Sequence, residues 1–518
     1  MLDPELERSS PRNGALDLPK VEDMSQSKAQ VSAAAHTNGS DVASAIMPGV
    51  DAHAAEIERI FKLQQAHQYT VAKTTARQRR QKLKRLQEAL LAHRQEIRDA
   101  LYADFRKHPS EVDLTEIFPV TSEIKHAIRH LAKWIRPHRV KTPLSLVGTS
   151  SHIRYEPKGL ALIIAPWNFP INLTFGPLVS AVAAGNCVVI KPSEHTPHAS
   201  AVTKSIIESV FDESEVAVIE GGVETSTALL ALPFNHIFFT GAPAIGKVVM
   251  EAAAKHLASV TLELGGKSPT IVDETASIDV AARRIAWAKF TNNGQICIAP
   301  DYLFVHESKK DELLQKLGEN IEASYGRDAR RSDAYARIVN HRHYQRVAGY
   351  IEDAKHRGAT VAYGGGTEGS EDYIEPTLLT DVDPSSAVMT EEIFGPVLPI
   401  FSYKSLDEPI AAINAKEKPL ALYIYSKNRH NIERIIENTR AGGTCINHSA
   451  VHFFQHNLPF GGSNNSGIGK GHGFFGFEAF SNARGIFKQW SPLSAVELMK
   501  APFTKLKQSI IDLSIKYF

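Results

Sequence analysis

The sequence predicts an α/β protein built on a doubly wound parallel sheet. Between Leu160 and Gly266, five short apolar runs alternate with helical patterns, the signature of strands joined by crossover helices. A second α/β series begins at Ser268. The length of 518 residues suggests about three domains at ~150 residues each, and a 43% hydrophobic, 22% charged composition suits a large globular core.

Residues 1–52 are rich in Ser, Ala, Asn and Asp without sustained periodicity, which predicts a disordered tail. The first residues lack an apolar core segment and carry early acids, which argues against a secretory or mitochondrial leader. Helical periodicity starts near Ala54 and runs through "TTARQRRQKLKRLQEALLAHRQEIRDAL", read as a solvated surface helix. A second helical pattern spans about Glu111 to Ile135, and "RVKTPLSLVGTSSHIRYEPKG" reads as β-rich with turn signals at Val147–Ser151. The five strands are then "LALIIAP", "CVVIKPSE", "VAVIEGG", "HIFFTGA" and "SVTLELGG". Between them lie the helical "TFGPLVSAVAAG", "TPHASAVTKSIIESVF", "ETSTALLAL" and "PAIGKVVMEAAAKH". Gly159 to Ile190 holds no charged residue, but Pro166, Pro170, Pro177 and three Asn residues interrupt it, so a buried strand–loop–helix–strand is expected rather than a membrane span. The second series comprises "PTIVDE", a helix to about Asn292, a loop holding Cys297, "DYLFVHE" and the helix "KKDELLQKLGENIEAS". "GGGTEGSED" reads as a surface turn, and "NLPFGGSNNSGIGKGHGFFG" as a glycine-rich loop, either flexible or packed closely on another group.

Composition narrows the function. With 58 basic against 57 acidic residues there is no charge reason to expect nucleic acid. Three cysteines, Cys187, Cys297 and Cys445, make no disulfide framework, and no CxxC pair suggests zinc, so no metal is expected and a reducing, cytoplasmic setting is. "TGAPAIGK" has Walker A spacing up to Lys247 but then Val248 where a Mg²⁺-binding Ser or Thr belongs. It still follows a strand and opens a helix whose N-terminus can meet a pyrophosphate, or it is a plain tight turn.

Cys297 stands apart from the other two cysteines. It sits in a loop beside Gly294, Asn292, Asn293 and Gln295, where a substrate can reach a thiolate nucleophile; Cys187 lies in an apolar strand. Glu263 ends a buried strand in "TLELGGKSP", a costly place for a carboxylate without a task. It is a general base with a raised pKa, or one half of an ion pair with Lys267. Asn168 in "APWNFP" lies at a strand's C-terminal end, where its amide can donate to an oxyanion or brace the loop.

"APWNFP", "KPSE", "FTGAPAIGK", "LELGGKSP", "NNGQICIAPDY", "EEIFGPV" and "LPFGGSNNSGIGKGHG" occur in that order. Together, over roughly residues 55–490, they resemble the aldehyde dehydrogenase superfamily, and the "KPSE", "CIAPDY" and "HNLPFGG" variants look most like its class 3 branch of fatty, aromatic and coniferyl-type aldehyde dehydrogenases. The resemblance implies a Rossmann-type NAD domain (53–137 and 158–264), an α/β catalytic domain (265–446) and a small β oligomerisation arm with closing segment (138–157 and 447–490). It implies that Cys297 attacks the aldehyde, that Asn168 and the Cys297 N–H hold the oxyanion, and that Glu263 activates the water that hydrolyses the thioester. It places NAD, or NADP, against Pro166, Trp167, Lys191, Glu194, Thr240, Gly241, Gly246, Leu264, Glu392 and Phe394, and the substrate against Phe169, Ile298 and Phe460. Ala242 stands where family members commonly carry Ser or Asn, so pyrophosphate binding must lean on backbone and helix dipole. Glu194 disfavours a 2′-phosphate by charge and so favours NAD.

The expected partners are a hydrophobic aldehyde and a second copy of the chain in a homodimer. Phe453, Phe454 and Phe460, with Trp167 and Phe169, suggest an apolar entrance. Residues 491–518 form an amphipathic tail with Phe503, Leu506, Ile510, Leu513 and Tyr517 on one face and Lys505, Lys507 and Lys516 around it. Peripheral membrane contact, a cap on the substrate mouth and packing on a second subunit all fit such a tail. A cofactor-free cysteine hydrolase or a non-catalytic family member are the competing functions; a hydrolase would want a His beside the thiol, and the sequence does not single out one of its 22 histidines.

Overall fold

The computed structural model describes residues 48–517 apart from residue 493. The tail read at 1–52 lies outside the described residues up to residue 47, and its last five residues open the first helix, Pro48–Ala72.

Two sheets dominate. The first has six strands in the spatial order Gly467–Ile468, Ser259–Leu264, His236–Gly241, Leu160–Ile164, Cys187–Lys191, Val216–Val218. All five expected strands are there and run parallel, with the last-arriving Gly467–Ile468 added antiparallel at the edge. Strand Leu160–Ile164 is buried at every position. Ala161 and Ile163 face a core with Leu86, Phe175 and Ile206, while Leu160, Leu162 and Ile164 face another with Phe61, Phe234 and Val249. A strand covered on both faces must read as an unbroken apolar run, which is why it was legible. Chain direction reverses around this central strand, so its C-terminal end is the topological switch point where such sheets bind ligands.

The second sheet has seven strands in the order Thr360–Tyr363, Thr377–Thr380, Val397–Tyr403, Tyr302–His306, Pro269–Val272, Ala421–Tyr425, Gly443–Ile446. Only the Thr360–Tyr363 edge is antiparallel. A separate three-stranded sheet joins His138–Val140, Thr149–Pro157 and Ser481–Gln489, the last two paired antiparallel over their full length from Thr149↔Gln489 to Pro157↔Ser481. The turn expected at Val147–Ser151 is therefore shorter, because Thr149 already begins the strand. Among the described residues no helix is long and apolar enough to cross a membrane, and the uncharged stretch divides into strand Leu160–Ile164, helix Asn172–Ala184 and strand Cys187–Lys191.

The basic segment is not one solvated helix. Thr75 and Gln78 form a capping box that opens Ala76–Ala92, His93 breaks the run, and Arg94–Phe105 follows. Arg79 points inward and is 5% exposed. Its Nη1 donates to the carbonyls of Ala183 (3.0 Å) and Ala184 (2.6 Å), and its Nη2 to Ala72 (3.1 Å). It thus ties this segment to the C-terminal end of helix Asn172–Ala184. Gly185 must be glycine for the same reason, since its φ is +91° and a Cβ would meet the Arg79 guanidinium at 2.4 Å. Arg79→Leu should strand these buried carbonyls and lower stability by at least about 2 kcal/mol. The check is the urea midpoint, and an unchanged midpoint would remove this role.

Candidate functional site

The Cys297 loop is built from residues that rarely share one turn. Asn292 (φ 52°), Asn293 (φ 55°) and Gly294 (φ 71°) are all left-handed. Asn tolerates this conformation, and at Gly294 a Cβ would lie 2.3 Å from the Gly395 carbonyl oxygen. Asn292, Asn293 and Gln295, the polar neighbours of Cys297 in this loop, are fully buried. They are the loop's anchors. Gln295 Nε2 donates to the carbonyls of Asn292 (3.1 Å) and Arg337 (3.0 Å), and its Oε1 accepts the Val339 N–H at 3.0 Å. Asn293 Nδ2 donates to the Ala336 carbonyl at 2.7 Å, and Glu111 Oε1 accepts the Asn292 N–H at 2.8 Å. Cys297 is the member of the loop that opens onto space, bordering three adjoining cavities. Burial, then the carboxyls of Glu392 and Glu263, push its thiol pKa well up, so the resting group is a thiol that needs a base.

Asn168 lies across the loop, 3% exposed, with Nδ2 donating to the Gln295 carbonyl at 3.0 Å and its own carbonyl accepting from Asn292 Nδ2 at 2.9 Å. Beneath it lies the ion pair Lys107–Glu116 (2.9 Å), with both side chains at 0% exposure. Glu116 Oε2 accepts the N–H groups of Ile171 (3.2 Å) and Asn172 (2.9 Å), and Lys107 Nζ sits 4.1 Å from the Phe169 ring centroid. Glu116 reaches inward because the helix pattern read from Glu111 to Ile135 contains a π-helical turn, Asp113–Ile117.

Glu263 stands at the penultimate position of its strand, 8% exposed. Burial pushes its carboxyl pKa up to about 8, against a weaker pull from Lys470. Among the described residues neither carboxylate oxygen has a hydrogen-bond partner. The alternative of an ion pair with Lys267 fails, because Lys267 is engaged by Asp301 and by the carbonyls of Val388 (2.8 Å) and Glu391 (2.7 Å).

A cleft of about 960 Å³ runs from Cys297 and Glu263 past Pro166, Trp167, Asn168, Thr240, Gly241, Leu264, Glu392 and Phe394. Trp167 packs edge-on against Phe394 (5.3 Å between centroids), so it belongs to this cleft and not to the apolar entrance where its aromatic character first placed it. Gly241 and Ala242 line the wall at the start of helix Pro243–Ala254, where Ala242 provides no side-chain cap. Gly246 is not among the lining residues. A Cβ there would meet Leu264 Cδ2 at 2.7 Å, so its glycine serves helix–strand packing. Lys191 and Glu194 lie outside the lining as well, and pair with each other at 2.6 Å. Burial, then Asp301, push the Glu392 carboxyl pKa up to about 8, and a Cβ on Gly265 would fall 2.0 Å from Glu392 Oε2. His343 and Arg346 also line the cleft, Arg346 donating to the Glu392 carbonyl at 3.1 Å. Sequence reasoning missed both, since their helix carries no motif.

On the other side of Cys297, Phe169, Ile298, Leu173, Trp287, Phe453 and Phe454 line an almost wholly apolar cavity of about 60 Å³. Phe460 lines a neighbouring space of about 50 Å³ with Phe453, Glu263, Cys297 and His472.

A thiol and an unpaired carboxylate stand where a long cleft at a parallel-sheet switch point meets an apolar pocket, which is the layout of a dehydrogenase with a covalent step. The aldehyde dehydrogenase family profile matches residues 27–486. A rat protein named aldehyde dehydrogenase, dimeric NADP-preferring, is 45% identical over 78% of this chain and 88% of its own. The 4,4′-diaponeurosporen-aldehyde dehydrogenase of Staphylococcus aureus is 46% identical over 81% of this chain and 91% of its own. A substrate-bound structure of Staphylococcus aureus AldH superposes with a TM-score of 0.85 at 42% identity, covering 88% of this chain and 99% of that one. The chain belongs to the aldehyde dehydrogenase family, in its class 3-like branch, and is an NAD(P)-dependent aldehyde dehydrogenase.

Glu116→Ala should leave Lys107 buried and uncompensated and cost about 3–5 kcal/mol, whereas Lys107→Met combined with Glu116→Leu should recover part of the loss. Denaturant midpoints of the single and double variants check this; equal losses would show that charge pairing is not what matters here.

Proposed function

We propose that this chain oxidises hydrophobic aldehydes, medium- to long-chain aliphatic or aromatic, to carboxylic acids through a thioester on Cys297. The observation that carries the reading is the position of Cys297, bordered on one side by an apolar pocket and on the other by the long cleft and Glu263. The cleft residues suit NAD(P). They offer the N-terminus of helix Pro243–Ala254 for a pyrophosphate, a glycine at Gly241, and a Glu392 oxygen without a hydrogen-bond partner among the described residues for a ribose hydroxyl. NAD(P), when bound there, supplies the hydride acceptor.

The residues then divide the work. Cys297 attacks the aldehyde carbon, and the oxyanion accepts from the Asn168 amide and the Cys297 N–H. One such donor is worth ~10²–10³ in rate. Ionised Glu263 takes a proton from the water that cleaves the thioester. Its partnerless, buried carboxylate supports this role, since a structural carboxylate would be paired. Glu194, outside the cleft lining and held at 2.6 Å by Lys191, sets little free charge against a 2′-phosphate, so the cleft suits NADP as well as NAD. The rat relative's name shows that the branch also contains enzymes that prefer NADP.

The substrate preference rests on the apolar pocket, and the S. aureus relative named 4,4′-diaponeurosporen-aldehyde dehydrogenase lends it support. The chain should act as a homodimer. Leu144, Val147, Phe487 and Trp490 on or beside the three-stranded sheet and Leu506, Leu513 and Ile515 on helix Lys505–Tyr517 are all exposed, an apolar surface that a second subunit would cover.

Cys297→Ala should abolish NADH formation while leaving cofactor binding and folding intact; substantial turnover by this variant would remove the mechanism. Glu263→Gln should give a burst of at most one NADH per site followed by a slow phase. In the unmodified enzyme thioester hydrolysis should rise as pH passes upward through about 8, where Glu263 ionises, and that rise should vanish in the variant. Each added CH₂ is worth up to ~0.8 kcal/mol, so kcat/KM should climb over several carbons. Acetaldehyde performing as well as decanal and benzaldehyde would exclude the hydrophobic preference.

A further inference from the structure

Glu263 must discharge the proton it takes from water before the next turnover, yet its carboxylate has no hydrogen-bond partner among the described residues. Lys470 is the nearest cation acting on it, but Lys470 Nζ is committed to the carbonyls of Gly461 (2.5 Å) and Gly462 (2.9 Å). The next residues along the same loop are Gly471 and His472. A Cβ on Gly471 would lie 3.6 Å from Glu263 Oε1, and Glu263, Cys297, Gly471 and His472 together line the cavity of about 50 Å³. A water needs roughly 10–15 Å³ of such space, so more than one fits.

His472 is held as an acid–base group would be. Its φ of 66° is a conformation that residues with a side chain seldom adopt, which marks a constrained position. Its Nδ1 lies 3.2 Å from Glu123 Oε2, and its ring meets Phe453 (4.6 Å) and Phe460 (5.3 Å) edge-on. Glu123 is 3% exposed, and although burial opposes ionisation, His456 and His472 hold its pKa below the usual carboxylate range. An ionised carboxylate only accepts, so the proton of neutral His472 sits on Nδ1 and the lone pair on Nε2. Glu123 Oε1 accepts the Gly473 N–H at 2.7 Å, and His456 Nδ1 lies 2.7 Å from Oε2, with His456 Nε2 2.9 Å from Ser122 Oγ. The His456 ring is 5.4 Å from that of His126, itself 4.3 Å from His130.

We infer that His472, oriented by Glu123, carries the hydrolytic proton away from Glu263 through water in the shared cavity. This deepens the reading of Glu263 as base and rests on it. As the water oxygen bonds to the thioester carbon, one water proton passes to Glu263. The carbon–sulfur bond breaks, the second proton of that water passes to the Cys297 sulfur, and the product leaves as a carboxylate. Glu263 then yields its proton through cavity water to His472 Nε2, the Nδ1 proton moves toward Glu123 and the His456 beside it, and because burial keeps the Glu263 carboxyl protonated at rest the same transfer must precede each acyl loss. Glu123 is a positioning residue, since it acts through His472. The same three side chains place ligand atoms within 4.8 Å of one another, the spacing of a metal set. The 3.2 Å contact of His472 Nδ1 with Glu123 is a hydrogen bond and supports the relay, while His456 Nδ1 approaches Glu123 at 2.7 Å without hydrogen-bond geometry.

The test follows the acyl-enzyme directly, by acid quench after one turnover with NAD and a labelled hydrophobic aldehyde. His472→Asn, which keeps a polar side chain, and His472→Gly, which leaves a hole, should both keep the first-turnover NADH burst. Both should lose the acyl group at least ~10-fold more slowly, within the ~10²–10⁴ range of general acid–base groups. Imidazole in the buffer should restore much of the rate in His472→Gly. Glu123→Gln should slow the same step with the burst retained. Acyl loss within twofold of the parent, or a loss that imidazole leaves unchanged, would overturn the relay. So would inhibition of the parent by chelators, which would point to a metal at the three side chains. Should the variants fold poorly, the parent decides: a proton inventory in mixed H₂O and D₂O should bow for acyl loss, and a straight line would overturn the proposal. Failure of the covalent reading itself would show differently, as NADH formation by Cys297→Ala.

Discussion

The Lys107–Glu116 pair is the constraint from which the site is built. Both charges are fully buried, and such a pair is weak evidence for net stability because desolvation offsets most of the attraction. What it supplies is position. Glu116 fixes the N–H groups of Ile171 and Asn172, Lys107 sits on the Phe169 ring, and Asn168 directly precedes this anchored stretch. Asn168 in turn holds the Gln295 carbonyl, two residues before Cys297. From the same N-terminal segment Glu111 holds Asn292. The Cys297 loop and the Asn168 loop are thus located by one buried polar network, each belonging to a different sheet-bearing part of the chain.

Legibility in the sequence followed burial pattern. The parallel strands were readable from their short apolar runs, although Ser259–Leu264 carries Ser259, Thr261 and Glu263 on one face, and the motif order was enough to place Cys297, Glu263 and Asn168 together. The inward turn of Arg79 was not readable, since a basic residue in a basic amphipathic run carries no sign that its guanidinium is needed by the carbonyls of a helix end elsewhere. The π-helical turn at Asp113–Ile117 was equally silent, because one extra residue in a helix leaves apolar spacing on either side intact. The burial of Asn292, Asn293 and Gln295 was not readable for a related reason: their partners are backbone groups of residues 336–339, distant in the sequence. His343, Arg346 and His472 reach the site only through tertiary packing.

The electrostatics of the site define its resting state. Burial raises the pKa of Cys297, Glu263 and Glu392 together, and each carboxylate would raise the thiol further. Near neutral pH such a cluster holds its protons. A charged form becomes favourable only when something adds compensating donors or positive charge, which is the condition a bound dinucleotide and an oxyanion on Asn168 would create. A site of this kind is quiet without ligand, which protects a thiol that borders open space from adventitious chemistry.

The glycines near the C-terminus complete this arrangement. Gly467 pairs with Glu263 at the sheet edge, with φ at 151°, and a Cβ there would stand 2.4 Å from the Leu262 carbonyl oxygen. Gly462 would meet Ser466 O at 2.0 Å, and Gly461 would meet Glu263 Oε1 at 2.9 Å. The stretch therefore takes the second of its two sequence readings, glycine for close packing. Its path first covers the edge beside Glu263, removing that carboxylate from bulk water, and then turns through Gly471 to set His472 in the cavity Glu263 faces. The same few residues that raise the pKa of the base thus also bring in the group through which it can be reset. Burial and proton exit, which oppose each other in a closed pocket, are both met by one segment.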